Sequence, residues 1–524
     1  FKYFGNGTFS GTMRVFLFLI LVSIVSSYKF LVFSPQFANS HVNFMARISD
    51  VLVDAGHEVV MLSPIIDKGV RGPGSKKVRL IEIPQNEHGM RVEHFMNANA
   101  ASNAWKDQSP MIMLLSWGEI MDSYAKQCLS VLQYPGLMEQ LRAEKFDVAY
   151  VESIDFCGPT LFYLLGIEKV AITDSMAITD NAFSYTQTPS NPSYVPSLMG
   201  GNCGEKMTFM ERVTNTISFA LTDFFNSLFL PIIQDKLNEQ WPELPSVTKL
   251  LARNSLVFVN SEPLVDFPRP TSARVIDIGG ITVSSSHQPL NKTWSDIMDL
   301  RPKTVLLSFG TFAKAFAMPE EYKQTIRETV KKFPNVTFIW KYEKPEHKIS
   351  EGIDNLIEST WVPQRDMLHD PRLSAFITHC GQGSTTESID AGIPLVVIPV
   401  VADQFRNAQQ IKRNQIGIIM EKTDLAQVGK LEIAIREILE NEKYRIQAKK
   451  VQSIIHERPF SMKDIFIRNM EFLAKHGPLD QLNHYGRHLN FFQYYLIDVI
   501  AFVSSVVLIV LIVIVLTLKF IVSR

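Results

Sequence analysis

Residues 361–404 read WVPQRDMLHDPRLSAFITHCGQGSTTESIDAGIPLVVIPVVADQ, and this stretch decides how the rest of the chain is read. Within it, AFIT (375–378) is a short apolar run of strand type. It enters a glycine-bearing turn, His379-Cys380-Gly381-Gln382-Gly383-Ser384, and then a helical segment ended by Gly392. A second apolar run, LVVIP (395–399), follows at once. Strand, helix and strand with such short connections form a parallel β-α-β unit. The helix start turns unpaired N–H groups and the positive end of the helix dipole toward one point, where a phosphate binds well. Gly381 and Gly383 carry no Cβ to hold a diphosphate away. A glycine turn before a helix is more often a plain crossover than a ligand site, so its meaning depends on what surrounds it.

Working outward, residues 304–308 (TVLLS), 337–341, 374–378 and 395–399 read as four strands alternating with helices, the doubly wound pattern. A polar stretch, VSSSHQP (283–289), precedes them as a linker. The first half repeats the pattern. YKFLVFS (28–34) is a buried strand, and residues 41–55 carry Phe44, Met45, Ile48, Val51 and Leu52 at helical spacing, with Ser40 as N-cap and Gly56 as stop. Residues 58–63, 145–151 (KFDVAYV), 170–173 and 256–260 supply further strands. The expectation is an α/β protein of two Rossmann-like domains with parallel sheets, residues 28–283 and 290–475. No period of 20 to 50 residues suggests a solenoid or propeller. Residues 209–233, rich in Phe and Leu, are expected to form a buried helix hairpin, with an apolar acceptor pocket or a membrane-facing surface as alternatives.

The chain has 524 residues, 46% of them hydrophobic, enough for two substantial cores. Its 52 basic and 53 acidic side chains leave a formal charge of -1, so no field gathers nucleic acid. Cys128, Cys157, Cys203 and Cys380 are spread too widely for a zinc knuckle or a small disulfide scaffold. Both ends carry membrane signals. Met13 and Arg14, an apolar run over 15–25 and the small Ser26 and Ser27 have the layout of a signal peptide (13–27), with residues 1–12 preceding the expected initiator. Residues 499–518 lack any charge and at 1.5 Å per residue can span about 30 Å, a transmembrane helix. Residues 476–498 are then a juxtamembrane segment. Lys519 and Arg524 put the tail, 519–524, in the cytosol and the body in a lumen. The sequons at Asn291 and Asn335 suit that placement.

WVPQ, THCG, a Glu eight residues after His379, and DQ at 403–404 together resemble the donor signature of the UDP-glycosyltransferase family, which includes the UDP-glucuronosyltransferases. FGT (309–311) and FFQYYLIDVI before the apolar tail extend the similarity along nearly the whole chain. The resemblance implies the GT-B fold: two facing Rossmann-like domains, the second holding a UDP-sugar donor and the first a small lipophilic acceptor. It implies an endoplasmic reticulum membrane protein with a luminal body and a role in detoxification, and it leaves room for a homo-oligomer.

Carried over by position, Trp361 would stack on uracil, and Gln364 and Glu387 would hold the ribose, as carboxylates do in nucleotide sites. His379, Gly381, Gly383 and Ser384 would face the diphosphate, with Ser308 and Gly310 closing the other side. Asp403 and Gln404 would hold the sugar hydroxyls. His41, at the first turn of the first helix, matches the family's base, and a helix start is expected to keep its ring neutral. Its partner is expected to be Glu152, standing where the family has Asp, with Asp155 as rival. The resulting mechanism is a single in-line displacement with inversion. No aspartate-rich metal motif occurs, so no metal is expected. Val259 stands where glucuronosyltransferases commonly carry an Arg, which removes a partner for a glucuronate carboxylate and keeps UDP-glucose beside UDP-glucuronate as donor. Gly383 replaces the Asn usual in the turn. A catalytically silent binding protein would have lost His41 or the DQ pair, and a nicotinamide enzyme would carry G-x-G-x-x-G after FLVFS; neither is the case.

Overall fold

Continuous apolar runs are what a strand needs when helices cover both its faces, and the central strands here are of that kind. The computed structural model describes residues 27–70, 72–97, 104–106, 110–180, 182–188, 190–198, 202–283 and 288–524. The expected signal peptide lies outside them but for Ser27, as does most of the expected linker. In the first lobe β1 (Lys29–Phe33), β2 (Glu58–Pro64), β3 (Arg79–Ile83), β4 (Val148–Glu152), β5 (Val170–Asp174), β6 (Leu256–Val259) and β7 (Val275–Asp277) form one sheet in the order 3-2-1-4-5-6-7. In the second, β8 (Lys303–Ser308), β9 (Val336–Lys341), β10 (Leu356–Ser359), β11 (Leu373–Thr378), β12 (Leu395–Val397) and β13 (Gly417–Ile419) take the order 10-9-8-11-12-13. All recorded pairings are parallel. Both orders reverse direction beside a central strand, β1 or β8, and ligands of such sheets sit outside the carboxyl ends at that point.

The first helix, Asn39–Asp54, begins two residues before the expected start. Its cap is Ala38 in extended conformation with no side-chain hydrogen bond, so the expected Ser40 cap is inside the first turn. Phe44, Met45, Ile48 and Leu52 pack on Phe30 and Val32 of β1. Cys128 and Cys157 are joined in a disulfide, while Cys203 and Cys380 are buried thiols.

The expected buried hairpin over 209–233 is instead one helix, Phe209–Asn238, opened by a Thr208–Glu211 capping box. Few of its residues are buried, and Ile217, Leu221, Phe224 and Leu228 form an exposed stripe. Pro231 does not break it. The apolar tail is a 26-residue helix, Ile497–Val522, that contains the expected span and has no buried residue. Both helices are long and apolar enough to cross a membrane.

One helix departs from the expected boundary at residue 475. Met462–His476 leaves the second lobe and buries Phe466, Met470 and Leu473 against Phe30, Tyr150 and Phe258 of the first sheet.

Candidate functional site

The side chains singled out in the sequence gather at the carboxyl ends of the two sheets, where the lobes meet. Glu152 is the last residue of β4, and Ser175 follows β5. His41, in the first turn after β1, brings Nδ1 to 2.7 Å from Glu152 Oε1 and 3.0 Å from Ser175 Oγ. The Ser175 N–H also donates to Glu152 Oε1, at 3.2 Å. An ionised carboxylate only accepts, so Nδ1 carries the proton and Nε2 keeps a lone pair. Burial opposes charge on His41, but Glu152, with help from Asp403, outweighs it and raises its pKa above the ordinary 6.5. The neighbouring carboxylates thus pull against the neutral ring expected from the helix start. Burial likewise opposes the Glu152 carboxylate, and His41 and Ser175 together hold its pKa below the usual range.

Asp155, the rival partner, is engaged elsewhere. It accepts from the N–H groups of Cys157 and Gly158, at 2.9 and 2.7 Å, and from the Tyr124 hydroxyl.

On the second lobe, Cys380 adopts a positive φ of 65° so that Gly381 can cap the helix Gln382–Ala391, which Gly392 ends in left-handed conformation. A non-glycine residue there stores about 1–3 kcal/mol, a sign of a functional turn. The glycines act differently from the expectation. A Cβ at Gly310, whose φ is 76°, would lie 2.5 Å from the His379 ring, and one at Gly381 2.7 Å from its Nε2. Both make room for this imidazole, whereas a Cβ at Gly383 would meet nothing within 4 Å. Burial, with Lys341 nearby, pushes the His379 pKa down to about 4, so the ring is neutral. Lys341 donates to the Gly310 carbonyl. The buried Ser308 hydroxyl has no partner among the described residues.

At the rim Trp361 is 51% exposed. Beside it Gln364 Nε2 lies 2.7 Å from Glu387 Oε2 and 3.2 Å from Ser384 Oγ. Burial raises the Glu387 pKa. In the turn after β12, Ala402 has a φ of 57°. Gln404 Oε1 accepts from the Val400 and Val401 N–H groups, and Asp403 Oδ2 from Asn407 Nδ2 at 2.8 Å. Asn407 also donates to the Cys380 carbonyl, at 3.1 Å, locking the DQ turn to the His379 turn. Burial raises the Asp403 pKa, and Asp403 and His41 interact across the cleft. The two sets of residues thus face each other.

Val259 is wholly buried in the first-lobe core; the residue that meets the second lobe is the next one, Asn260. Sequence reasoning missed Ser175, Asn260, Gln382, Lys341 and Asn407, single polar residues with no motif of their own. For all but Asn407, which lies inside the helix Gln404–Arg413, the signal was position, just beyond or at the end of a strand or within the glycine turn. Among the described residues no group of three or more His, Cys, Asp or Glu is placed to hold a metal. A cavity of about 340 Å³ opens at the opposite, amino ends of β4 and β5, lined by Arg142, Phe146, Asp147 and Lys169, and does not involve these residues.

Two Rossmann-like lobes with parallel sheets of seven and six strands, meeting at their carboxyl ends, have the architecture of a GT-B glycosyltransferase. Residues 29–524 match the family described as "UDP-glucoronosyl and UDP-glucosyl transferase", and the chain belongs to that family. The Caenorhabditis elegans relative ugt-48 is 28% identical over 516 residues, 96% of each chain. UDP-glucuronosyltransferase 1A7 of Mus musculus is 26% identical, over 95% of this chain and 93% of its own. Phytolacca americana UGT2, solved with UDP-2fluoro-glucose and pterostilbene, has the same fold at a TM-score of 0.57 and 15% identity, over 86% of this chain and all of that one. The chain is a UDP-glycosyltransferase of hexosyltransferase type that uses a UDP-sugar donor.

Proposed function

We propose that the chain transfers a hexosyl group, glucose or glucuronate, from UDP onto a hydroxyl of a small lipophilic acceptor, with inversion and without a metal. The observation that carries the reading is the 2.7 Å His41–Glu152 contact directly across the cleft from Asp403. His41 Nε2 takes the acceptor's proton as the acceptor oxygen bonds to the anomeric carbon. The bond from that carbon to the β-phosphate oxygen breaks, and UDP leaves with the electron pair. Glu152 compensates the imidazolium. The amides at the start of the Gln382 helix, with the Ser308 hydroxyl and His379, receive the diphosphate. Trp361 stacks on uracil, Gln364 and Glu387 hold the ribose, and Asp403 and Gln404 the sugar.

The helix Ile497–Val522 anchors the chain in the endoplasmic reticulum membrane with the body in the lumen, where lipophilic compounds concentrate and a detoxifying transferase meets its acceptors. Membranes containing the chain, given phenolic acceptors with UDP-glucose or UDP-glucuronate, test this through the mass of the product. Sugar transfer that survives EDTA and is abolished in His41→Ala is expected. Equal activity in His41→Ala, or strict dependence on added manganese, overturns the mechanism.

A further inference from the structure

Asn260 and Gln382 meet across the lobes, between the glycine turn of His379 and the Ser175 that holds the His41–Glu152 pair. Gln382 is the first residue of the helix behind His379 and Gly381, and its Nε2 donates across the lobes to the Asn260 carbonyl at 2.9 Å. Asn260 Nδ2 donates in turn to the Ser175 carbonyl, at 2.8 Å, and Ser175 holds Glu152 and His41. Each amide nitrogen is thus committed to a carbonyl oxygen. A carbonyl cannot donate, so exchanging N and O in either side chain would set two acceptors face to face. The orientation of both amides follows from chemistry. What remains is Asn260 Oδ1 and Gln382 Oε1, two buried acceptors that find no donor among the described residues. Leaving such groups unpaired is costly, and buried orphan polar atoms call for a partner.

We infer that Asn260 and Gln382 read the donor sugar through these two oxygens and select a neutral hexose over a hexuronate. The inference rests on the UDP-sugar reading above and names the sugar that reading leaves open. A hydroxyl can donate to either oxygen. A uronate carboxylate, which only accepts, would oppose them without a bond. Arg406 is held by Asp266 at 2.7 Å, Lys341 is turned to the Gly310 carbonyl and Glu343, and position 259 is core. Glu152 holds His41 at 2.7 Å, and the Asp403 carboxylate acts on the same ring.

The test uses the purified full chain and calorimetric titration with UDP, UDP-glucose and UDP-glucuronate. UDP-glucose is expected to bind about 10-fold or more tightly than UDP-glucuronate, since one lost hydrogen bond to a buried polar group is worth about that factor. Gln382→Ala should weaken UDP-glucose about 5–10-fold, leave UDP unchanged and narrow the gap between the two sugars. Asn260→Ala also frees the Ser175 carbonyl and can fail to fold, so Gln382→Ala decides. Equal or tighter binding of UDP-glucuronate overturns the inference, as does a Gln382→Ala variant that loses UDP and UDP-glucose alike. Failure to bind UDP at all overturns the parent reading, and this one with it.

Discussion

Glu152→Gln tests the base assignment with little change of shape. The Ser175 N–H, which donates to Glu152 Oε1, will choose the amide oxygen over the amide nitrogen for that place. The oxygen also accepts from His41 Nδ1, so the tautomer survives and only the charge is lost. Burial is the largest influence on His41 and lowers its pKa; Glu152 is the main reason the net shift is upward. With the charge gone, burial prevails and the pKa falls. A base works when neutral, so the acid limb of the rate–pH profile moves to lower pH. The rate falls because the imidazolium formed during transfer has lost its counter-charge. A loss of about 10²-fold in kcat fits a retained tautomer, against 10³–10⁴-fold when a catalytic histidine is wrongly oriented. Initial rates from pH 5 to 9 with saturating donor measure both effects. An acid limb that stays put or moves upward, or a kcat within 2-fold of the parent, refutes the assignment.

Gly310→Ala puts a Cβ 2.5 Å from the His379 ring at a φ of 76°, so it should cost about 1–3 kcal/mol of stability and weaken UDP binding, read by thermal unfolding with and without UDP. Trp361→Leu removes an exposed ring; stability should stay within about 0.5 kcal/mol while UDP binds about 3–10-fold more weakly by titration. Asp174, bonded to Ser153 and Tyr185, is pushed up by burial to about 7. A raised carboxyl stabilises the fold below its unfolded pKa near 3.8 and loses that contribution as pH rises through 7. Asp174→Asn should therefore raise Tm more at pH 8 than at pH 5, and an equal shift at both would count against it.

The central strands were legible because a strand covered on both faces has to be apolar without interruption. The missed strands β3, β7, β10 and β13 are the four sheet edges. Arg79–Ile83 and Val275–Asp277 are mostly half-buried or exposed, so their sequences carry no such run. The helix Phe209–Asn238 was misjudged for the opposite reason, since apolar composition records that a surface is covered but not by what. At the site, the sequence singled out His41, Glu152 and the glycine turn, and the fold brings them to the ends of the sheets where the lobes meet. It could not show that Gly310 makes room for His379, because that contact joins residues 69 positions apart. Nor could it show that Asn260 bridges Ser175 and Gln382, because each of those bonds crosses between strands or lobes.

The expected boundary at residue 475 fails for a reason that bears on catalysis. Phe466 packs edge-on against Phe258, at 4.8 Å between ring centroids, and against Tyr150 at 6.5 Å. Phe258 lies two residues before Asn260 and Tyr150 two before Glu152, so one aromatic from near the end of the chain backs both strands that carry the first-lobe site. The contact continues past the helix. Leu479 donates its N–H to Ser255, and Asn483 accepts from Gln187 and Arg274. A chain cut at the linker would leave Phe30, Tyr150 and Phe258 facing water, and truncating one such core aromatic alone costs about 3–5 kcal/mol. The first lobe is therefore completed by the segment that leads into the apolar tail.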